Sequence, residues 1–384
     1  MGTLFVPRER RAGEARVAAT PETVKRFVKE GWVVHVEPGA GEASFFLDAE
    51  YVDAGATLLG KDEAWPVADL IVTLGPIEAA DANTLKEGAT VIGLLAPHRS
   101  DDAIRAMIER KVSSFALELL PRTTRAQPMD ALSSQASIAG YKAVILAAGR
   151  LGKYFPMLMT AAGTIRPARA VILGAGVAGL QAIATAKRLG AMVEVSDIRR
   201  AAKQDAESLG AKFIEVPIEG DGKGGYAKEM TKAELEKQAL LVGERIAAAN
   251  AVICTALVPG RPAPKLIPAS VVARMKPGSV IVDLAAPEGG NCELTVPGED
   301  VVKNGVVIMG QTNVAGSVPM DASLLYARNC LALALLVSKA GAIAIDTSDE
   351  VVGGTLLTHA GAIHHAATEK RLTPSAGKEK ADAA

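Results

Sequence analysis

The sequence has no excess charge of either sign: 42 Lys and Arg against 43 Asp and Glu leave a net charge of -1. That excludes a general electrostatic hold on a nucleic acid backbone or an anionic bilayer and leaves only local patches. Aromatic residues make up 4% of the chain, so its cores are built from Ala, Val, Leu and Ile. The three cysteines, Cys254, Cys292 and Cys330, are odd in number, far apart and set in or near apolar runs. They exclude a disulfide framework and read as buried reduced thiols of a cytosolic protein. Long hydrophobic runs are lacking too. The best candidate, Cys330 to Ile345, is broken by Lys339 and Gly341 and is too short to span a bilayer. The opening MGTLFVPRERR puts charge where a secretory apolar region would lie, so no secretory signal is expected and any membrane connection runs through a partner. The five histidines show no metal spacing, and neither a Ser-His-Asp arrangement nor a phosphate-loop lysine turn is found.

What is present is length and alternation. A chain of 384 residues with 49% hydrophobic residues points to two soluble domains sharing a cleft. TLFV, WVVHVE, ADLIVTLG, ATVIGLLA and SSFALELL read as strands. Between them lie helices such as ETVKRFVKE, opened by Thr20 and Pro21 and stopped at Gly31, and SDDAIRAMIERK, capped by Ser100. This alternation predicts a parallel sheet with helices on both faces. Ser137 to Leu151 reads as a connecting helix. The strands RAVIL, MVEVSD, AKFIEV, NAVICTAL, GSVIVDLA and GVVIMG then form a second sheet, and a helix from about Leu324 to Ser338 returns the chain. The expected fold is therefore α/β, with two doubly wound Rossmann-like domains and a cleft between them. The first is discontinuous, residues 1–132 and 324–384 with a disordered tail from about 369. The second spans 133–323.

Gly174, Gly176 and Gly179 follow the strand RAVIL and open the helix GLQAIATAKRLG. In such a G-x-G-x-x-G turn the first glycine makes the turn, the second lets backbone approach a pyrophosphate and the third lets helix and strand close on each other. The helix N-terminus adds its positive end. Asp197 closes the next strand, where a carboxylate accepts ribose hydroxyls and repels a 2'-phosphate, which favours NAD(H) over NADP(H). Arg199 and Arg200 pull the other way, since a basic pair there accommodates a phosphate. Packing glycines alone are the blander reading. Two further stretches stay open on their residues. LPRTTRAQPMDALSSQ, residues 120–135, is either a solvated linker with a helix cap or a binding loop, and EGDGKGGYAKEM, residues 219–230, is either an ordinary flexible connection or a lid.

PRTTRAQPMDALSSQASIAGY, TAAGTIRPARAVILGAGVAGLQAIATAKRLGA, GGYAKEM, TALVPGRPAP and MKPGSVIVDLA together resemble one family over nearly the whole chain. It is the NAD(H)-binding component of proton-translocating nicotinamide nucleotide transhydrogenase, in the form made as a separate first alpha polypeptide. Alanine dehydrogenase is the more distant relative. The resemblance implies that Arg122, Gln127, Asp130 and Ser133 position the nicotinamide end of the cofactor, with Thr123, Thr124 and Arg125 beside them. It places Val177, Ile198, Arg199 and Leu257 on the cofactor with the glycines and Asp197, and makes Gly225 and Tyr226 part of a loop that closes over it. It implies a homodimer docked through an NADP(H)-binding beta subunit and membrane-spanning subunits on the cytoplasmic face of the inner membrane. It implies no metal. Hydride then passes directly from NADH on this chain to NADP+ on the partner.

An amino-acid dehydrogenase is the alternative from the same resemblance, and a non-catalytic NAD-sensing module is a third. The dehydrogenase needs a cationic anchor for a keto acid and a general acid or base. Arg16 matches the relative's substrate arginine. The lysine position lies in LIVTLG, the histidine position is Leu95, and an acidic position is Pro287, with Glu288 beside it. Asp283 ends a strand and reads as a structural acid.

Overall fold

A computed structural model describes residues 1–199, 201–215, 232–257 and 261–373. The chain divides into two compact units, Met1–Gln135 joined by the segment that starts at Val318, and Ala136–Ser317.

The strands Leu70–Val72, Thr90–Gly93 and Ser113–Ala116 of the first unit are buried at every position because both faces of the sheet are covered. Leu4 and Val6 pack into one core with Val34, Val36, Phe27, Tyr326 and Leu333. Phe5, between them, packs into another with Ile71, Val91, Ile104 and Met107. Side chains alternate across a strand, so a continuous apolar run needs two such cores. Among the described residues the sheet has eight strands, and the six that run parallel are Thr57–Leu58, Val33–Val36, Thr3–Val6, Leu70–Val72, Thr90–Gly93 and Ser113–Ala116 in spatial order. Numbered along the chain this is the doubly wound order 3-2-1-4-5-6, which reverses direction between Thr3–Val6 and Leu70–Val72.

Two strands that the sequence pattern does not show complete the sheet: Leu356–His359 pairs antiparallel with Ser113–Ala116, and Ala362–Ile363 pairs antiparallel with Leu356–His359. Beyond them, Ala366–Leu372 is helical and Arg371 pairs with Asp101, so the tail expected to be disordered from about 369 is ordered through Leu372. Polarity misled here, because the anchors are few: Leu372 packs against the core that holds Ile104 and Met107, Thr368 is buried, and Arg371 bonds to Asp101. At the start of Pro21–Lys29 the Thr23 hydroxyl accepts from Thr20 N at 2.9 Å, while the Thr20 hydroxyl expected to cap the helix is buried without a partner, and Gly31 follows the helix at φ +92. Ser100 sits at the N-cap of Asp101–Glu109, but its hydroxyl donates back to the Leu95 carbonyl at 2.9 Å, so the cap expected of its side chain is not made. The helix expected from Leu324 begins earlier, at Pro319, where proline suits the first turn.

In the second unit Ala170, Ile172, Val193 and Ile253 face one core, and Val171, Leu173, Val252 and Ile281 face the other. Its parallel strands lie in the order Lys212–Phe213, Met192–Ser196, Arg169–Leu173, Ala251–Cys254, Val280–Asp283, Val306–Met309, again 3-2-1-4-5-6, and Asp300–Lys303 adds an antiparallel edge. The reversal falls between Arg169–Leu173 and Ala251–Cys254, and the carboxyl ends of such a pair are where open α/β sheets bind ligands. The connecting helix runs Ala131–Arg150, starting six residues before the expected Ser137.

Candidate functional site

At that reversal the first strand ends on Gly174, whose φ is +99. A Cβ there would lie 2.6 Å from Thr255 Oγ1, the hydroxyl that donates to the Leu173 and Gly174 carbonyls at 3.0 and 3.2 Å. A Cβ on Gly179 would sit 1.9 Å from the Gly174 carbonyl oxygen, so the helix passes over the turn only because this residue has no side chain. Gly176 is different, with open space where its Cβ would be. The helix Val177–Arg188 makes its first internal bond from Leu180 N to Gly176 O at 2.8 Å. The amides of Val177, Ala178 and Gly179 therefore have no acceptor within the helix. Bare backbone, open space and three amide donors at a helix N-terminus fit a pyrophosphate.

Three residues outside the sequence-predicted set shape this turn. Gly140 on the helix Ala131–Arg150 meets its backbone, since a Cβ there would be 2.1 Å from the Ala178 carbonyl oxygen. A glycine inside a helical pattern was the available signal. Thr255 knits the two strands at the reversal. Asn291, fully buried, accepts from Ala256 N at 3.0 Å and donates to the Ala256 carbonyl at 2.8 Å, which fixes the strand end just before Leu257. Leu257, Val177 and Ile198 are exposed, at 49, 43 and 78%.

Asp197 Oδ2 accepts from Ala175 N at 2.7 Å, tying the acid to the turn. Arg199 donates to the same carboxylate from its backbone amide, Nε and Nη2 at 2.8, 3.0 and 2.9 Å. Burial pushes the Asp197 carboxyl up, but the Arg199 and Ala175 bonds outweigh it and hold it below the usual aspartate range. Asp283 is fully buried and accepts from Ala285 N, Cys292 N and Thr295 Oγ1, a structural acid as expected. Arg200, Gly225 and Tyr226 lie outside the described residues.

In the first unit, Arg122, Thr124 and Gln127 are exposed on the turn and short helix Thr124–Met129 that precede Ala131–Arg150. Thr123 Oγ1 is buried without a partner. Arg125 pairs with Asp349 at 2.6 Å, and Asp349 itself caps the helix Glu350–Thr355, so this arginine fastens the stretch to the chain's last segment. Asp130 Oδ1 accepts from Ser133 N at 2.9 Å and Oδ2 from Ser133 Oγ at 2.6 Å. The pair starts the long helix and leaves one lone pair free on each Asp130 oxygen.

The positions that an amino-acid dehydrogenase would use are occupied otherwise. Arg16 is 9% exposed and donates to both Glu14 oxygens at 2.7 Å and to Gln135 Oε1 at 2.8 Å. Leu95 is 1% exposed. Glu118 holds the adjoining turn by accepting from Leu95 N and Ala96 N.

Residues 5–139 match the family described as alanine dehydrogenase/PNT, N-terminal domain, and residues 143–366 match alanine dehydrogenase/PNT, C-terminal domain. The chain is 47% identical to the first of the polypeptides that make up the NAD(P) transhydrogenase alpha subunit of Rhodospirillum rubrum, covering 95% of this chain and 98% of that one. It is 31% identical to the alanine dehydrogenase of Methanococcus maripaludis over 88% of this chain and 87% of that one. Among solved structures, a transhydrogenase from Sinorhizobium meliloti is similar at a TM-score of 0.86 and 45% identity, covering 94% of this chain and 99% of that one. An L-alanine dehydrogenase follows at 0.81 and 27%, covering 96 and 98%. With both halves of the fold matched and the doubly wound order present in each unit, the chain belongs to the alanine dehydrogenase/PNT family.

Proposed function

We propose that this chain is the NAD(H)-binding subunit of a proton-translocating NAD(P) transhydrogenase. In this reading it holds NADH for direct hydride transfer to NADP+ on a partner subunit. The observation that carries the reading is the bare glycine turn at the sheet's reversal, with Asp197 bonded into it. The transhydrogenase relatives support it.

When bound, the nicotinamide ring supplies the hydride, and passage between two such rings involves no exchangeable proton. The chain's own residues are then asked to bind and orient. The amides of Val177, Ala178 and Gly179 take the pyrophosphate, and Asp197 takes the adenosine ribose. Arg122 and Gln127, both exposed, carry donors suited to ribose, phosphate and carboxamide oxygens. Asp130 offers its remaining lone pairs to the carboxamide nitrogen, with Ser133 holding it in place. Thr123 Oγ1, buried and unpartnered, belongs to the same loop.

Arg16 held by Glu14 and Gln135, with apolar Leu95 on the turn that Glu118 holds, supports the absence of a keto-acid site. No helix among the described residues is long and apolar enough to cross a membrane. In this reading the chain reaches the cytoplasmic face of the inner membrane through its NADP(H)-binding beta subunit and membrane-spanning subunits. The exposed hairpin Leu158–Thr160 and Gly163–Ile165, flanked by Met157 and carrying Met159, supports a homodimer.

Calorimetric titration of the isolated chain tests the nucleotide assignment. NADH is expected to bind about tenfold or more tightly than NADPH, and equal or inverted affinities would refute it. With the partner present, Gln127→Ala is expected to slow transfer while leaving NADH affinity within about twofold. Unchanged transfer would remove Gln127 from the site.

A further inference from the structure

Asp197 is the acceptor a ribose diol would use, yet its acceptor places are taken. Oδ1 receives the Arg199 amide and Nε, and Oδ2 receives the Ala175 amide and Arg199 Nη2. A carboxylate has about four lone-pair places, so this chain fills them all. The four donors are not equivalent. Ala175 N and Arg199 N are backbone groups within the turn and the strand end, and withdrawing either one moves the main chain. The other two belong to one side chain that is 59% exposed, while the carboxylate it covers is 5% exposed. Only the guanidinium can leave cheaply.

We propose that the Arg199 side chain is a displaceable occupant of the adenosine-ribose position, exchanging its two hydrogen bonds to Asp197 for those of the ribose hydroxyls when NAD(H) binds. This rests on the reading that the glycine turn holds NAD(H). Two consequences follow from the chemistry. The affinity for any nucleotide with a free ribose diol is lowered by what the pair is worth. The same cation offsets the negative charge that repels a 2'-phosphate, so Arg199 also blunts discrimination against NADP(H). One residue thereby shifts the affinities for NAD(H) and NADP(H) in opposite directions.

The test is titration of the full chain with NADH, ADP-ribose and NADPH, for wild type, Arg199→Gln and Arg199→Lys. ADP-ribose isolates the adenosine half from the nicotinamide end. Arg199→Gln is expected to bind NADH and ADP-ribose about two- to fivefold more tightly, the factor that an exposed ion pair's worth converts to. Its affinity for NADPH falls by a similar factor. Arg199→Lys keeps the charge without the fork and lies between wild type and Arg199→Gln for all three ligands. The gap between wild type and Arg199→Gln narrows as salt rises.

A damaged turn would weaken all three ligands together, so the opposed shifts of NADH and NADPH separate this role from a structural one. Parallel weakening of NADH and ADP-ribose, or no change in either, overturns the inference while leaving the nucleotide site intact. Failure of the wild type to bind any of the three would overturn the site and the inference with it.

Discussion

Asp130 and Asp197 show how much of a site's chemistry depends on what a side chain has left to give. Both are anchored by their own chain, but Asp130 keeps two free lone pairs and Asp197 none. The sequence names both residues and cannot count their bonds, because the count depends on a turn that folds Arg199 back over Asp197. Glu9 and Glu118 carry a residue-scale prediction. Burial pushes both carboxyls up, and backbone amides at Leu74, Leu95 and Ala96 offset this only in part. A carboxyl raised in the folded state contributes stability below its unfolded value, near 4.5, and loses it as pH rises through the folded value. The double variant Glu9→Gln, Glu118→Gln lacks that loss. Its melting temperature relative to wild type should therefore climb as pH is raised from 4 to 8, and a difference independent of pH would count against the assignment. Glu14, Asp69 and Asp197 are lowered and act in the opposite sense, but they are common to both proteins and cancel in the comparison.

Among elements, the glycine turn was legible because its evidence is local: a strand, three glycines and a helix within one short stretch. The helix Ala131–Arg150 was legible in type but not in role. Gly140 and Gly149 look alike in sequence, yet Gly140 faces the Ala178 carbonyl and Gly149 faces open space. Their alanine variants should therefore diverge. Gly140→Ala pushes backbone against backbone and is expected to cost about 1–3 kcal/mol and to weaken NADH binding, since Ala178 lies in the first turn of the glycine-turn helix. Gly149→Ala is expected to gain up to about 1 kcal/mol with NADH affinity unchanged. Urea melts and titrations read both, and a Gly140→Ala protein as stable as Gly149→Ala would contradict the close approach. Three short hairpins were not legible in the sequence. Two turn on Ala340–Gly341 and Ala360–Gly361 with positive φ at both residues, the geometry of a tight hairpin turn. Their paired strands are too short for an alternating pattern to show, and alanine is not the residue that normally advertises a positive φ.

For the molecule as a whole, the balance of charge and the scarcity of aromatics said what it is not, and the β-α alternation said which layers to expect. Which edges receive extra antiparallel strands was not readable, because Leu356–His359 and Ser113–Ala116 pair across a long stretch of chain. The hairpin around Met159 carries a prediction at this scale. Met159 is 71% exposed and Met157 58%, apolar surface that association would cover. On the proposed homodimer, Met159→Asp is expected to shift sedimentation from dimer toward monomer without loss of NADH affinity, and an unshifted dimer would place the interface elsewhere. The central claim is that this chain orients a hydride and moves no proton. It is tested most directly by mixing the chain and its NADP(H)-binding partner with NADP+ and NADH deuterated at the transferable position. The account predicts that the deuterium arrives intact on NADP+ with none lost to water. Exchange of the label with solvent, or oxidation of NADH that requires a keto acid and ammonia, would contradict it.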